Sequence, residues 1–105
     1  IPSKLHELSN DLNVHLQEED EWDQFVSLFD EIHPDFTKKL NQIALQKLTA
    51  TELRLCLLLR LGLSSKEIAS VLRITPDSVR VARYRLRKKL PLESQDELVN
   101  FMLKL

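Results

Sequence analysis

Leu48-Thr49-Ala50-Thr51-Glu52-Leu53, Leu63-Ser64-Ser65-Lys66-Glu67-Ile68 and Ile74-Thr75-Pro76-Asp77-Ser78-Val79 share one pattern. An apolar residue precedes a Ser or Thr, two residues follow, then a polar residue able to reach back and a second apolar residue. In the first two stretches the hydroxyl can accept the backbone N–H of the third helical residue. Glu52 or Glu67 answers the cap's own N–H, and the flanking apolar pair clamps the entry angle. The third stretch puts Pro76 at the first helical position, where a missing N–H costs nothing. The pattern predicts three short helices in succession. Only Arg73 and Ile74 lie between the end of the second helix near Leu72 and the cap at Thr75, which forces the tight turn of a helix-turn-helix. Gly62, the single glycine of the chain, falls where the first helix must stop, as a residue tolerant of positive φ should.

A helical wheel of the third helix, at about 100° per residue, puts Val79, Ala82, Leu86 and Leu90 on the face that packs against the other two. Asp77, Arg80, Val81, Tyr84, Arg85 and Lys88 occupy the opposite face, with Arg83, Arg87 and Lys89 on the flanks. An outward surface this basic, held by two other helices, suits the major groove of duplex DNA with its flanks on phosphates. The competing reading is a solvated basic face. The caps and the turn spacing weigh against it, because neither depends on charge.

These residues carry a family resemblance. Leu48-Thr49 to Glu52, then Gly62-Leu63-Ser64-Ser65-Lys66-Glu67-Ile68-Ala69, then Ile74-Thr75 with Ser78-Val79-Arg80-Val81, ending Arg87-Lys88-Lys89-Leu90, closely resembles the LuxR-type (GerE-like) helix-turn-helix. The resemblance covers roughly Leu48 to Leu105. It implies an all-α, four-helix DNA-binding domain of a bacterial transcription regulator, with Ser65 to Leu72 as the scaffold helix and Pro76 to Lys89 as the reader. Positions matching Arg80, Val81 and Tyr84 commonly face bases in that family, and those matching Lys66 and Lys88 commonly meet phosphates. With the neighbouring residues of the wheel and the caps, the expected base-reading set is Arg80, Val81, Tyr84 and Arg85. The expected phosphate set is Ser65, Lys66, Thr75, Ser78, Arg83, Arg87 and Lys88. The chain departs from the family pattern at Arg73, where many members carry Gly, and at Ala82, where many carry His.

Charge divides the chain in two. Residues 1–47 hold four basic and ten acidic side chains, net −6, whereas residues 48–105 hold eleven basic and six acidic, net +5. Different partners are expected for the halves: phosphate backbones for the second, and none of that kind for the first, which DNA would repel. The expected division is therefore an acidic helical segment at 1–47 and the DNA-binding domain at 48–105.

In the first segment Ile1, Leu5, Leu8 and Leu12 repeat at alternating four and three, a heptad seam of fewer than three heptads. Continued forward, the register passes His15 and Glu19, which break it, and then Trp22, Val26 and Phe29. One helix with a polar interruption and two helices meeting around Gln17 to Asp20 are both compatible with this pattern. So are a short coiled-coil stalk joining two copies and a helix folded back on its own domain. Five of the six residues from Glu18 to Asp23 are acidic, as suits a first helical turn. Trp22, Phe25, Phe29 and Phe36 are expected in a core. His33-Pro34 should end their helix, with Pro34-Asp35 opening the next. This stretch also looks, more loosely, like the region before the DNA-binding domain in large bacterial signalling regulators. That resemblance implies a cytoplasmic output end of a longer protein, one that is membrane-anchored in some members.

After Pro91 a fourth start is expected at Ser94-Gln95-Asp96-Glu97-Leu98, followed by an apolar stripe of Leu98, Phe101, Met102 and Leu105. In the resembled family the matching helix often pairs two protomers. A homodimer through the N-terminal helix, the 95–105 helix or both is accordingly the expected assembly.

Other chemistry is sparse. Cys56 sits among leucines, so it is expected in the core and no disulfide framework exists. His6, His15 and His33 are dispersed, and Asp11 with His15 is the nearest approach to a metal pair. No Gly-rich phosphate loop or activated nucleophile is present, so neither enzyme activity nor a cofactor or metal is expected. Leu57 to Leu61 is too short for a membrane span and is interrupted by Arg60, so no membrane contact by this segment is expected. Two alternatives to a transcription regulator share part of this pattern. One is the promoter-reading end of an alternative sigma factor, which needs a longer upstream region. The other is a protein-protein assembly module whose basic helix binds an acidic partner.

Overall fold

The computed structural model describes residues 19–105, which form six helices and no strand among the described residues. They are α1 (Glu19–Ile32), α2 (Phe36–Ile43), α3 (Ala50–Arg60), α4 (Ser65–Leu72), α5 (Pro76–Lys89) and α6 (Leu98–Leu103). The heptad seam Ile1, Leu5, Leu8 and Leu12, and the Asp11 and His15 pair, lie outside the described residues. None of the described helices is long and apolar enough to cross a membrane.

The predicted caps set the three central helices. The Glu52 N–H donates to Thr49 Oγ1 at 3.1 Å and the Thr49 N–H to Glu52 Oε1 at 2.8 Å. Ser64 and Glu67 repeat this reciprocal box at the same distances. The Ser64 N–H holds the exposed Glu67 carboxyl below its usual pKa. The Ser78 N–H donates to Thr75 Oγ1 at 3.1 Å, with Pro76 opening α5.

Both turns of the trio close in the same way. After α3, the Gly62 N–H donates to the Leu59 carbonyl (3.0 Å) and the Leu63 N–H to the Leu58 carbonyl (3.3 Å), with Gly62 at φ +84°. After α4, the Arg73 N–H donates to the Ser70 carbonyl (3.4 Å) and the Ile74 N–H to the Ala69 carbonyl (3.0 Å), with Arg73 at φ +58°. These are Schellman turns, which need one residue in the left-handed region. Arg73 does the work that Gly62 does, without a glycine's freedom.

The α3 helix is the centre of the molecule. Leu55, Cys56, Leu57, Leu58 and Leu59 are all buried in succession, as only a helix covered on every side can be. Val71 and Ile68 of α4, Val79 and Leu86 of α5, Leu90, and Leu98 and Met102 of α6 join the same core. Trp22, Phe25 and Phe29 of α1 and Phe36 and Leu40 of α2 belong to it as well. Their rings form a chain with centroid spacings of 5.7 Å (Trp22 to Phe25), 6.3 Å (Phe25 to Phe29) and 5.4 Å (Phe29 to Phe36). The Arg54 guanidinium of α3 lies 4.8 Å from the Trp22 ring centre, and Arg60 Nη2 of α3 approaches His33 Nδ1 at 3.5 Å. Burial, and then the Arg60 charge, hold His33 below the usual histidine pKa. The described part of the acidic segment is thus seated on α3. Burial also pushes the Cys56 thiol up to about 12, so its thiolate is not available and it acts as a core residue.

One predicted boundary is corrected. The helix expected to start at a Ser94 cap begins at Leu98 instead, with Glu97 at the N-cap position and no side-chain cap bond. Residues 93–96 form a turn in which the Glu93 N–H donates to Asp96 Oδ2 at 2.9 Å. The Glu93 carbonyl closes this turn by accepting the Asp96 N–H at 3.1 Å, and the Arg87 guanidinium holds it in that shape by donating to the carbonyls of Glu93, Ser94 and Asp96.

Candidate nucleic-acid interface

The α5 sequence PDSVRVARYRLRKK combines one buried face with one exposed face. Val79 and Leu86 are fully buried and Leu90 nearly so, while Ala82 is half-buried. On the far side Asp77, Arg80, Val81, Tyr84, Arg85 and Lys88 are all exposed. Val81 and Tyr84 are 48% and 61% exposed, two of the few large apolar side chains left in solvent. An apolar side chain and a phenol among guanidinium groups are the side-chain types that meet thymine methyls and base edges in the major groove.

The outward groups order one another. Arg80 donates through Nη2 to Asp77 Oδ1, one turn earlier on the same face. Lys88 Nζ stands 4.4 Å from the centre of the Tyr84 ring, a cation–π contact that steadies both. All of the expected base-reading residues, Arg80, Val81, Tyr84 and Arg85, share this surface.

The expected phosphate residues fall into two groups. Lys66 at the start of α4, Thr75 and Ser78 at the start of α5, and Lys88 are exposed. The Thr75 hydroxyl accepts the Ser78 N–H and donates to Ser78 Oγ at 3.0 Å. Ser65 and Arg83 are half-buried and bonded to each other, Arg83 Nη1 donating to Ser65 Oγ at 2.9 Å, which ties α5 to α4. Arg87 differs most from expectation. Its guanidinium donates to the carbonyl of Asp96 at 2.6 Å and of Glu93 at 3.1 Å, with Ser94 at 3.4 Å. It faces the 93–96 turn rather than the open side of α5, because its position lies on the flank of the helix that this turn covers.

Two roles escaped the sequence reading. Lys89 Nζ donates to Glu52 Oε1 at 2.8 Å, with both side chains mostly buried, and the Leu45 N–H donates to the Lys89 carbonyl at 2.7 Å. The end of α5 is therefore fastened to the first turn of α3 and to the segment before it. Desolvation alone would raise the Glu52 pKa, but the Lys89 ammonium and the Thr49 N–H outweigh it and hold the carboxyl below its usual value. No signal in the sequence brings residues 52 and 89 together. The pairing of Asp77 with Arg80 was not foreseen either, and its i, i+3 spacing is the signal that could have found it. Among the described residues no group of three His, Cys, Asp or Glu side chains is placed to hold a metal ion.

A family model described as bacterial regulatory proteins, luxR family (GerE) matches residues 46–102, more than half of the chain and all of α3, α4 and α5. No curated protein matches the chain, and neither does any solved structure.

Proposed function

Since the chain belongs to the luxR family of bacterial regulatory proteins and is a DNA-binding transcription regulator, we propose that it reads sequence by inserting α5 into the major groove. Arg80, Val81, Tyr84 and Arg85 face base edges. Lys66, Thr75, Ser78 and Lys88 meet phosphates, together with Ser65 and Arg83. The Ser65 hydroxyl accepts from Arg83 and still has its own proton to donate. Arg87 is left out of the phosphate set, since its guanidinium is turned to the 93–96 turn and donates there to backbone carbonyls. The observation that carries this reading is the exposed face of α5, opposite the fully buried Val79 and Leu86.

In this proposal residues 48–105 are the reading unit. Residues 1–47 are the acidic segment that links it to the rest of a larger cytoplasmic signalling protein. Two copies bind together, through the N-terminal helix, the 95–105 segment or both, and their α5 helices enter successive major grooves about 34 Å apart. Val99, Phe101, Leu103 and Leu105 at the end of the chain are only partly covered, Leu103 being 52% exposed, which supports a contact there.

Selection from a randomised duplex pool, followed by gel shift on the selected site, tests the reading. Arg80→Ala and Tyr84→Ala should relax base preference. Lys88→Ala should weaken binding to every sequence and flatten the salt dependence by about one. Unchanged affinity and preference in all three variants would refute the assignment of this face. Sedimentation of the complex, together with half-sites one helical turn apart in the selected duplexes, tests the dimer.

A further inference from the structure

We propose that Asp77 determines base specificity by positioning Arg80 for guanine, an inference that rests on α5 being the groove-reading helix. The cations of α5 find their partners in different places. Arg83, Arg87 and Lys89 bond to residues on other elements. Arg80 bonds to Asp77, its neighbour at i, i+3 on the same outward face, and both side chains remain about four-fifths exposed at 78% and 81%. The ion pair thus stands on the surface offered to DNA and contributes nothing to joining the helices.

Its chemistry fits one base. A guanidinium has five N–H donors in a planar fork, and tethering Nη2 to a carboxylate leaves the remaining edge to donate in parallel. Guanine O6 and N7 are the acceptor pair that such a fork matches. In water a pair this exposed contributes little, but a groove that expels water strengthens it. The carboxylate also keeps Arg80 from swinging to a phosphate, where it would bind without reading. Phosphates on any sequence repel Asp77 itself, so the residue lowers affinity for arbitrary DNA while it sharpens the choice of base.

Fluorescence anisotropy with the 105-residue chain tests this, using a duplex selected from a randomised pool and its single-base variants. The unsubstituted chain should prefer guanine at the Arg80 position by about tenfold over adenine. Asp77→Ala should cut that preference to roughly threefold or less and tighten binding to an unselected duplex, as loss of a repulsive charge requires. Asp77→Glu, which keeps the carboxylate, should restore most of the preference. In an Arg80→Ala background Asp77→Ala should change the base profile no further, because a positioning residue has nothing left to position. A base profile in Asp77→Ala identical to that of the unsubstituted chain, with Arg80→Ala still flattening it, would overturn the role of Asp77 and leave groove reading intact. A flat response to Arg80→Ala would instead overturn the reading of α5.

Discussion

Six cations lie along the fourteen residues of α5, and the structure divides them into two sets of three. Arg80, Arg85 and Lys88 point outward, whereas Arg83, Arg87 and Lys89 are tied to Ser65, to the 93–96 turn and to Glu52. The residue types are the same and the tasks differ. The inward set fixes α5 against α4, the approach to α6 and α3, and so aims the outward set. Basicity along a helix is therefore not a count of phosphate contacts. A residue's angle on the wheel, and what its neighbours leave within reach, decide whether a charge stands on the exposed face or fastens the helix to its neighbours.

Arg87 offers the sharpest way to break this division. Arg87→Ala removes the donors of three carbonyls, at least one of them partly buried, and a charged hydrogen bond lost with its partner left unsatisfied costs about 2 kcal/mol. Thermal unfolding should fall by roughly 8–15 °C for a domain of this size, while the salt dependence of duplex binding by the folded variant stays unchanged. A flattened slope with unaltered melting would return Arg87 to the phosphates. Lys89→Met comes next. It breaks a mostly buried pair, but Glu52 keeps its Thr49 N–H, so a loss of about 1 kcal/mol is expected. Glu52 is held below its ordinary value of 4.5, so its contribution is present above that value and lost as pH falls through the folded pKa. In Lys89→Met the acid limb of a stability-against-pH curve should accordingly flatten below about pH 4.5.

From the outward set, Lys88→Ala should leave melting within about 0.5 kcal/mol of the unsubstituted chain. The cation–π contact with Tyr84 that it removes is exposed, and its loss should show in DNA affinity alone. The same contrast marks how much the sequence could say. Caps are local, so Thr49, Ser64 and Thr75 announced α3, α4 and α5 to the residue, and the 3.6-residue period separated Val79 and Leu86 from Arg80 and Tyr84. The partners of Arg87 and Lys89 are set by where the chain returns after Pro91 and by how α3 lies beside α5. Those are tertiary facts that no local spacing carries. The false start at Ser94 has the same origin, since a box of the right composition is held as a turn whose carbonyls accept from a guanidinium on another helix. The aromatic cluster was legible as core. The surface it packs on, α3 with Arg54 above Trp22, was not.

The smallest expected effect concerns a cation outside α5 that helps to place it. Gly62 and Arg73 hold equivalent positions in two Schellman turns, at φ +84° and +58°. A Cβ at Gly62 would meet nothing within 4 Å, so Gly62→Ala tests the backbone alone and should cost about 1 kcal/mol. Arg73→Gly runs the other way. Its backbone effects oppose one another, about 1–2 kcal/mol of left-handed strain relieved against about 0.5–1 kcal/mol of freedom added to the unfolded chain, and the interaction of the exposed Arg73 side chain is lost as well, so the net change should stay within about 0.5 kcal/mol of zero. Chemical denaturation of both variants on one scale checks the pair. If Arg73→Gly destabilises as much as Gly62→Ala, the Arg73 side chain belongs with the mounting residues of α5, and the division of labour begins one turn before that helix does.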